Sequence, residues 1–311
     1  MNGSVRSAAG LVWRHQRLVW WILVVNLVLA FLGSLPARAT LSAVLDHSLE
    51  SAKLVTGFDA AAFVLMLDRP DVQMGTVAPA ALSAGIIFLV YLLFLDGGIF
   101  RVYLEDSKLS RAEFFESSGL FFWRMVRLAL YSIVPFGLLI AANGGIAKYA
   151  GKLSNDAPIE RLGFCVNVAS KLLIVLLALL LRLWFDLAQA RVVRDNERKV
   201  FRTLLRSFKL AFTSGLYTRY LGIALFAAVT AALGLGIWFY LPHSAMGASF
   251  LVLELLTVTQ IASRLWLKAA SARWVALLPG PEAAPVLIPV MAAPLDELRA
   301  EVTPPEPPVS E

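Results

Sequence analysis

The stretch GFCVNVASKLLIVLLALLLRLWF, Gly163–Phe185, decides the fold. Two charges, Lys171 and Arg182, interrupt an otherwise apolar segment, and the residues between them, Leu172–Leu181, are apolar without exception. About 20 largely apolar residues in a helix cross the hydrocarbon core of a bilayer, so this segment reads as a membrane span. Working outward, five more stretches read alike: Leu18–Leu35, Ala78–Phe100, Val126–Ala142, Leu221–Leu241 and Ala248–Leu265. The whole chain agrees, with 59% hydrophobic residues, 16% charged residues and a mean hydropathy of +0.72. A soluble domain has roughly half and a quarter instead. The expected fold is all-α, a polytopic transmembrane bundle of about six helices over residues 1–278.

Ala37-Arg38-Ala39, after the first apolar run, has the form of a signal-peptidase site. That run is longer than the apolar core of a signal peptide, and the repeat below requires it as a helix, so it is read as a span.

The net charge of +6 would suggest nucleic acid in a soluble protein, but its distribution follows the positive-inside rule. Of the 28 Lys and Arg residues, 21 fall at the N-terminus, in Arg101–Arg127, in Arg182–Arg219 and after Ala262, and 7 fall on the opposite side. This places both termini and the two basic connections in the cytoplasm of a bacterial inner membrane, with no nucleic-acid partner.

The basic edges repeat. Gly10-Leu11 is followed by Arg14, Gly119-Leu120 by Arg124, and Gly215-Leu216 by Arg219. The even spans close alike, with Asp96 five residues before Arg101 and Asp186 five before Arg191; in the sixth, Thr259 stands five before Arg264. Three parallel two-helix repeats, with the three glycines at equivalent positions, account for this pattern.

Both basic connections read as amphipathic surface helices. Ser110 and Glu113 form a capping box ahead of Phe114 and Phe115. Val200, Phe201, Leu204, Leu205 and Phe208 recur at helical spacing, and Arg198, Lys199, Arg202, Arg206 and Lys209 fill the other face, which suits anionic headgroups. On the far side, Leu41, Val44, Leu45, Leu49 and Ala52 suggest one more surface helix. The segment 279–311 holds nine of the fifteen prolines and reads as an acidic, disordered cytoplasmic tail that could bind a membrane or cytoplasmic protein.

There is no P-loop, His-Glu-x-x-His, dinucleotide fingerprint or Gly-x-Ser-x-Gly elbow, so no catalytic residue, cofactor or metal is assigned. A zinc site among Asp46, His47, Glu50 and His243 is weak, and Asp68 with Asp71 reads as a solvated turn. Cys165, alone, forms no internal disulfide. The informative residues are polar groups inside spans: Asn26, Asp96, Arg182, Asp186 and Glu254. Counted from Arg17, Arg191 and Arg264, Asn26, Arg182 and Glu254 share a depth, which pairs Glu254 with Arg182 in a polar layer; counting from the outer ends makes Lys171 the partner instead. Such a layer is either glue between helices or a proton or substrate path.

The Asp96–Arg101 and Asp186–Arg191 pattern, with basic helices following, resembles bacterial six-helix integral membrane protein families of uncharacterised role. It is also loosely similar to the membrane domain attached to some glycerophosphodiester phosphodiesterases. The resemblance covers residues 9–275 in organisation and carries no functional residue across. The expected function is a non-enzymatic envelope scaffold or accessory subunit. The alternatives are a small transporter or channel-like protein using the intramembrane charges and, behind it, an intramembrane lipid enzyme.

Overall fold

The computed structural model describes residues 3–45, 74–106, 110–156, 160–213, 215–241 and 246–278. The segments around His47, Asp68 and His243, and the segment 279–311, lie outside the described residues, so the outer zinc site, the solvated turn and the tail are not placed.

Among the described residues there are eight helices: α1 Gly3–Arg14, α2 Arg17–Leu45, α3 Met74–Glu105, α4 Arg111–Asp156, α5 Glu160–Arg194, α6 Val200–Thr213, α7 Leu216–Tyr240 and α8 Met246–Ala276. The protein is an all-α, multi-pass membrane protein. Six helices, α2, α3, α4, α5, α7 and α8, are long and apolar enough to cross a membrane. Each contains the corresponding stretch read from the sequence, except that Leu241 lies just past the end of α7. All six span helices run further than hydropathy indicated, and two of the extensions bear on the readings above. The first span continues through Pro36 to the end of α2 at Leu45, taking Leu41 and Val44 into the span helix rather than a separate one. α8 continues eleven residues past Leu265. That extension changes the register of the third repeat.

The helices up to Leu277 form one compact unit with a cyclic arrangement. The even spans α3, α5 and α8 all pack on one another and make the centre. Each odd span lies against its own hairpin partner and the even span of the preceding repeat: α2 on α3 and α8, α4 on α3 and α5, α7 on α5 and α8. The entry segments obey the same rule, with α1 on α8, the first turns of α4 on α3, and α6 on α5. Replacing repeat one by two, two by three and three by one leaves this pattern unchanged.

The entry segments differ locally. The capping box forms as read: the Ser110 N–H donates to Glu113 Oε2 at 2.8 Å and the Glu113 N–H to Ser110 Oγ at 3.3 Å. The helix it opens runs without a break into the third span. In repeat one the surface helix stops at Arg14, and in repeat three a break falls at Gly215, which has φ +59° and precedes α7. Gly10 and Gly119 lie inside helices. The glycines therefore have three different local roles. The arginines after two of them are better matched: Arg14 Nη2 donates to Asp106 at 3.2 Å and Arg124 Nη1 to Asn196 at 2.7 Å. Asp106 and Asn196 both follow even spans with left-handed backbones, φ 51° and 47°, where a short polar side chain is tolerated.

The core sits at the basic end. Leu18–Leu23, Leu95–Tyr103, Phe114–Leu128, Leu183–Val193, Leu216–Ile223 and Ile261–Val275 contribute nearly all of it. Toward the other end the spans touch along narrow seams, such as Gly33 against Ala84 and Gly234 against Leu256. Apart from Ala150 and Gly163, no described side chain there is buried by protein.

A buried charge layer on three equivalent helices

The central helices carry the candidate site, and their register follows from burial and sequence together. Arg182-Leu183-Trp184 on α5 recurs as Arg264-Leu265-Trp266 on α8, and Ala188, Ala190, Arg191 and Val193 recur as Ala270, Ala272, Arg273 and Val275. The common offset is 82 residues. At an offset of 90, Asp96, Arg101 and Val102 on α3 match Asp186, Arg191 and Val192. In this register Tyr103, Val193 and Val275 are all buried, as are Phe100, Ala190 and Ala272. The third member of the Asp96–Asp186 set is therefore Lys268, five residues before Arg273, and not Thr259 before Arg264. Thr259 instead lines an apolar groove between α1, α2 and α8.

Two acids and one base thus occupy one level of three mutually packed helices. Asp96 and Asp186 are buried, at 5% and 6% exposure, and the Lys268 side chain is 16% exposed. Lys268 Nζ donates to Asp96 Oδ1 and lies 5.4 Å from the centre of the Phe100 ring, so the ammonium has an anion and an aromatic face. Asp186 is satisfied from the outer ring, where Tyr220 of α7 donates its hydroxyl to Asp186 Oδ2 at 2.6 Å. Arg182, one turn from Asp186, is within electrostatic reach of Tyr220, Asp186 and Asp96. Arg264, its counterpart on α8, is close enough to repel it. Counting Asp96, Asp186, Lys268 and Arg182, the group is formally neutral. In a medium that solvates ions poorly, a neutral group is the arrangement that can remain charged.

Of the residues proposed for the layer, Asp96, Arg182 and Asp186 come together here. Asn26 lines a shallow groove between α2 and α3 with Gly33, Ala84 and Phe88. Lys171 donates to Asn143 Oδ1 at 2.8 Å, tying α5 to α4. Glu254 lies fourteen residues before Lys268, about 21 Å along α8, with Oε2 buried and without a hydrogen-bond partner among the described residues. The expected pairing with Arg182 used Arg264 as the depth anchor. The equivalent anchor is Arg273, nine residues on, so Glu254 belongs about 13 Å further from the basic end than that count placed it.

Lys268 and Tyr220 were missed by sequence reasoning. Lys268 follows the drop in hydropathy and counted as a flanking cation, and a tyrosine near a basic end reads as an interfacial anchor. The Arg-Leu-Trp recurrence was the signal that would have found Lys268.

Other polar side chains at this end also bond to protein. Trp184 Nε1 donates to the Leu204 carbonyl at 2.7 Å and Tyr217 to the Leu176 carbonyl at 2.9 Å, fastening α6 and α7 to α5. No group of three or more His, Cys, Asp or Glu among the described residues is arranged to hold a metal ion. No family model, curated protein or solved structure matches this chain.

Proposed function

We propose that the protein is a non-enzymatic scaffold or accessory subunit of a bacterial cytoplasmic membrane, with both termini and the basic end of the bundle on the cytoplasmic side. The observation that carries this reading is the pairing of the central charges within the bundle: Lys268 bonds to Asp96 and Tyr220 to Asp186, with Arg182 one turn away on the same helix. Ion carriers need groups that can exchange partners with a wet path, whereas these are closed among themselves. The loosely packed end supports the same reading, because exposed Leu138, Ile140, Leu172, Leu233 and Leu251 leave apolar surface for other transmembrane helices or lipid.

A transport reading keeps one specific observation in its favour, the unpartnered Glu254 Oε2. Proton and monovalent-ion flux in proteoliposomes separates the two. The scaffold reading expects flux equal to empty vesicles, unchanged in Glu254→Gln. A flux abolished by Glu254→Gln, with the protein still folded, would make this a transporter.

Orientation has its own test. Reporters fused after Phe115, Phe208 and Gly280 are expected in the cytoplasm, and reporters at Glu50 and Asn155 outside, from the split of 21 to 7 basic residues. An external reporter at Phe208 would invert the arrangement.

A further inference from the structure

At the corner where α1 turns into α2, a cavity of about 380 Å³ opens against the first turn of α4. Arg14, His15 and Arg17 line it from one side and Arg111 from the other, with Trp21 and Phe114 as apolar walls. We propose that this cavity binds the phosphate of an anionic phospholipid headgroup.

The argument begins with charge. Arg17 and Arg111 are 94 residues apart in sequence, yet the fold turns both toward one space, and neither joins an ion pair among the described residues. The acids at this corner already have donors of their own. Asp106 accepts from Arg14 at 3.2 Å and from Arg273 at 2.8 Å, and Glu113 accepts from the Ser110 N–H in the capping box. Two guanidiniums lining one cavity, without ion pairs among the described residues, can both bond to one anion placed between them. Guanidinium groups match phosphate oxygens in pairs of parallel hydrogen bonds.

Position favours a lipid as the source of that phosphate. The cavity lies at the basic ends of α2 and α4, where the apolar spans begin. Trp21 is stacked on Phe115 at 5.9 Å and meets Phe114 edge-on at 5.9 Å, so its indole is fixed at the level where aromatic side chains meet headgroups. Basic pockets between transmembrane helices at this level suit anionic headgroups.

The test uses the full-length protein in a neutral detergent, titrated with dioctanoyl phosphatidylglycerol, dioctanoyl phosphatidylcholine or inorganic phosphate, with Tm and native mass spectrometry as readouts. Phosphatidylglycerol is expected to bind saturably and raise Tm, and the other two are not. In Arg17→Gln/Arg111→Gln its affinity should fall at least about tenfold. Lys148→Gln/Lys152→Gln, which removes the same charge from the far end of α4, should keep wild-type affinity. Because the first pair removes like charges, its lipid-free Tm should equal or exceed that of the wild type. A lipid-free Tm well below wild type would make the arginines supports of the fold and overturn the proposal. So would equal affinity loss in both double variants, an equal response to phosphatidylcholine, or a response to inorganic phosphate matching that to phosphatidylglycerol.

Discussion

Lys268→Met is expected to cost more stability than Lys268→Met combined with Asp96→Leu. The single change leaves the Asp96 carboxylate buried among α3, α5 and α8 without its ammonium, and breaking a buried pair from one side costs about 3–5 kcal/mol. The double change removes both desolvated ions and replaces them with apolar groups of similar bulk, which is often neutral. Asp96→Leu alone should resemble the lysine single, because it strands the ammonium with only the Phe100 ring. Unfolding of the purified protein in mixed micelles, measured for the wild type, both singles and the double, gives the coupling. Additive losses would mean that the pair contributes nothing beyond its separate residues.

The second large effect is steric. A Cβ placed on Gly97 would lie 2.8 Å from Phe121 Cβ and 3.1 Å from the Ser117 carbonyl oxygen. Both atoms are at or next to the α4 backbone, so the clash cannot be relieved by rotating the end of a side chain. Gly97→Leu must push α4 away from α3, opening the contact that Phe114, Phe121 and Met125 make in the core. Overpacking a tight contact typically costs about 1–3 kcal/mol, and a loss at the top of that range or above is expected here. Gly119→Leu is the control: nothing lies within 4 Å of its added Cβ, so the same residue on α4 should shift Tm little. Equal losses in the two variants would mean that helix propensity, and not the close approach, governs the response.

Span existence was legible because it depends on summed hydropathy over some 20 residues, which a few charges such as Lys171 and Arg182 do not cancel. The capping box of Ser110 and Glu113 was legible because it is a local exchange of two hydrogen bonds. The helix α1 was not, since twelve residues with one buried face, Ala8, Leu11 and Val12, leave no mark in a window sized for a span. Depth within the sixth span was not legible from hydropathy either. Arg264 marks where the apolar run thins, but α8 continues among helices that shelter Lys268 and Ser271, so a polar sequence there does not mean water. Whether a charge flanks a span or lies within the bundle depends on what the neighbouring helices supply. At position 268 they supply a carboxylate.

The layer of Asp96, Asp186 and Lys268 also limits how such a bundle can be assembled. Three separate, identical hairpins around one axis would place the same residue at all three positions, burying three carboxylates or three ammoniums together. Two anions and a cation at symmetry-related places require that the hairpins be distinguishable, and joining them in one polypeptide guarantees one of each. Lys268 pairs with Asp96, while Asp186, the equivalent of Asp96, takes the Tyr220 hydroxyl. The bundle thus has the outline of a trimer of hairpins whose central charges require the three hairpins to differ.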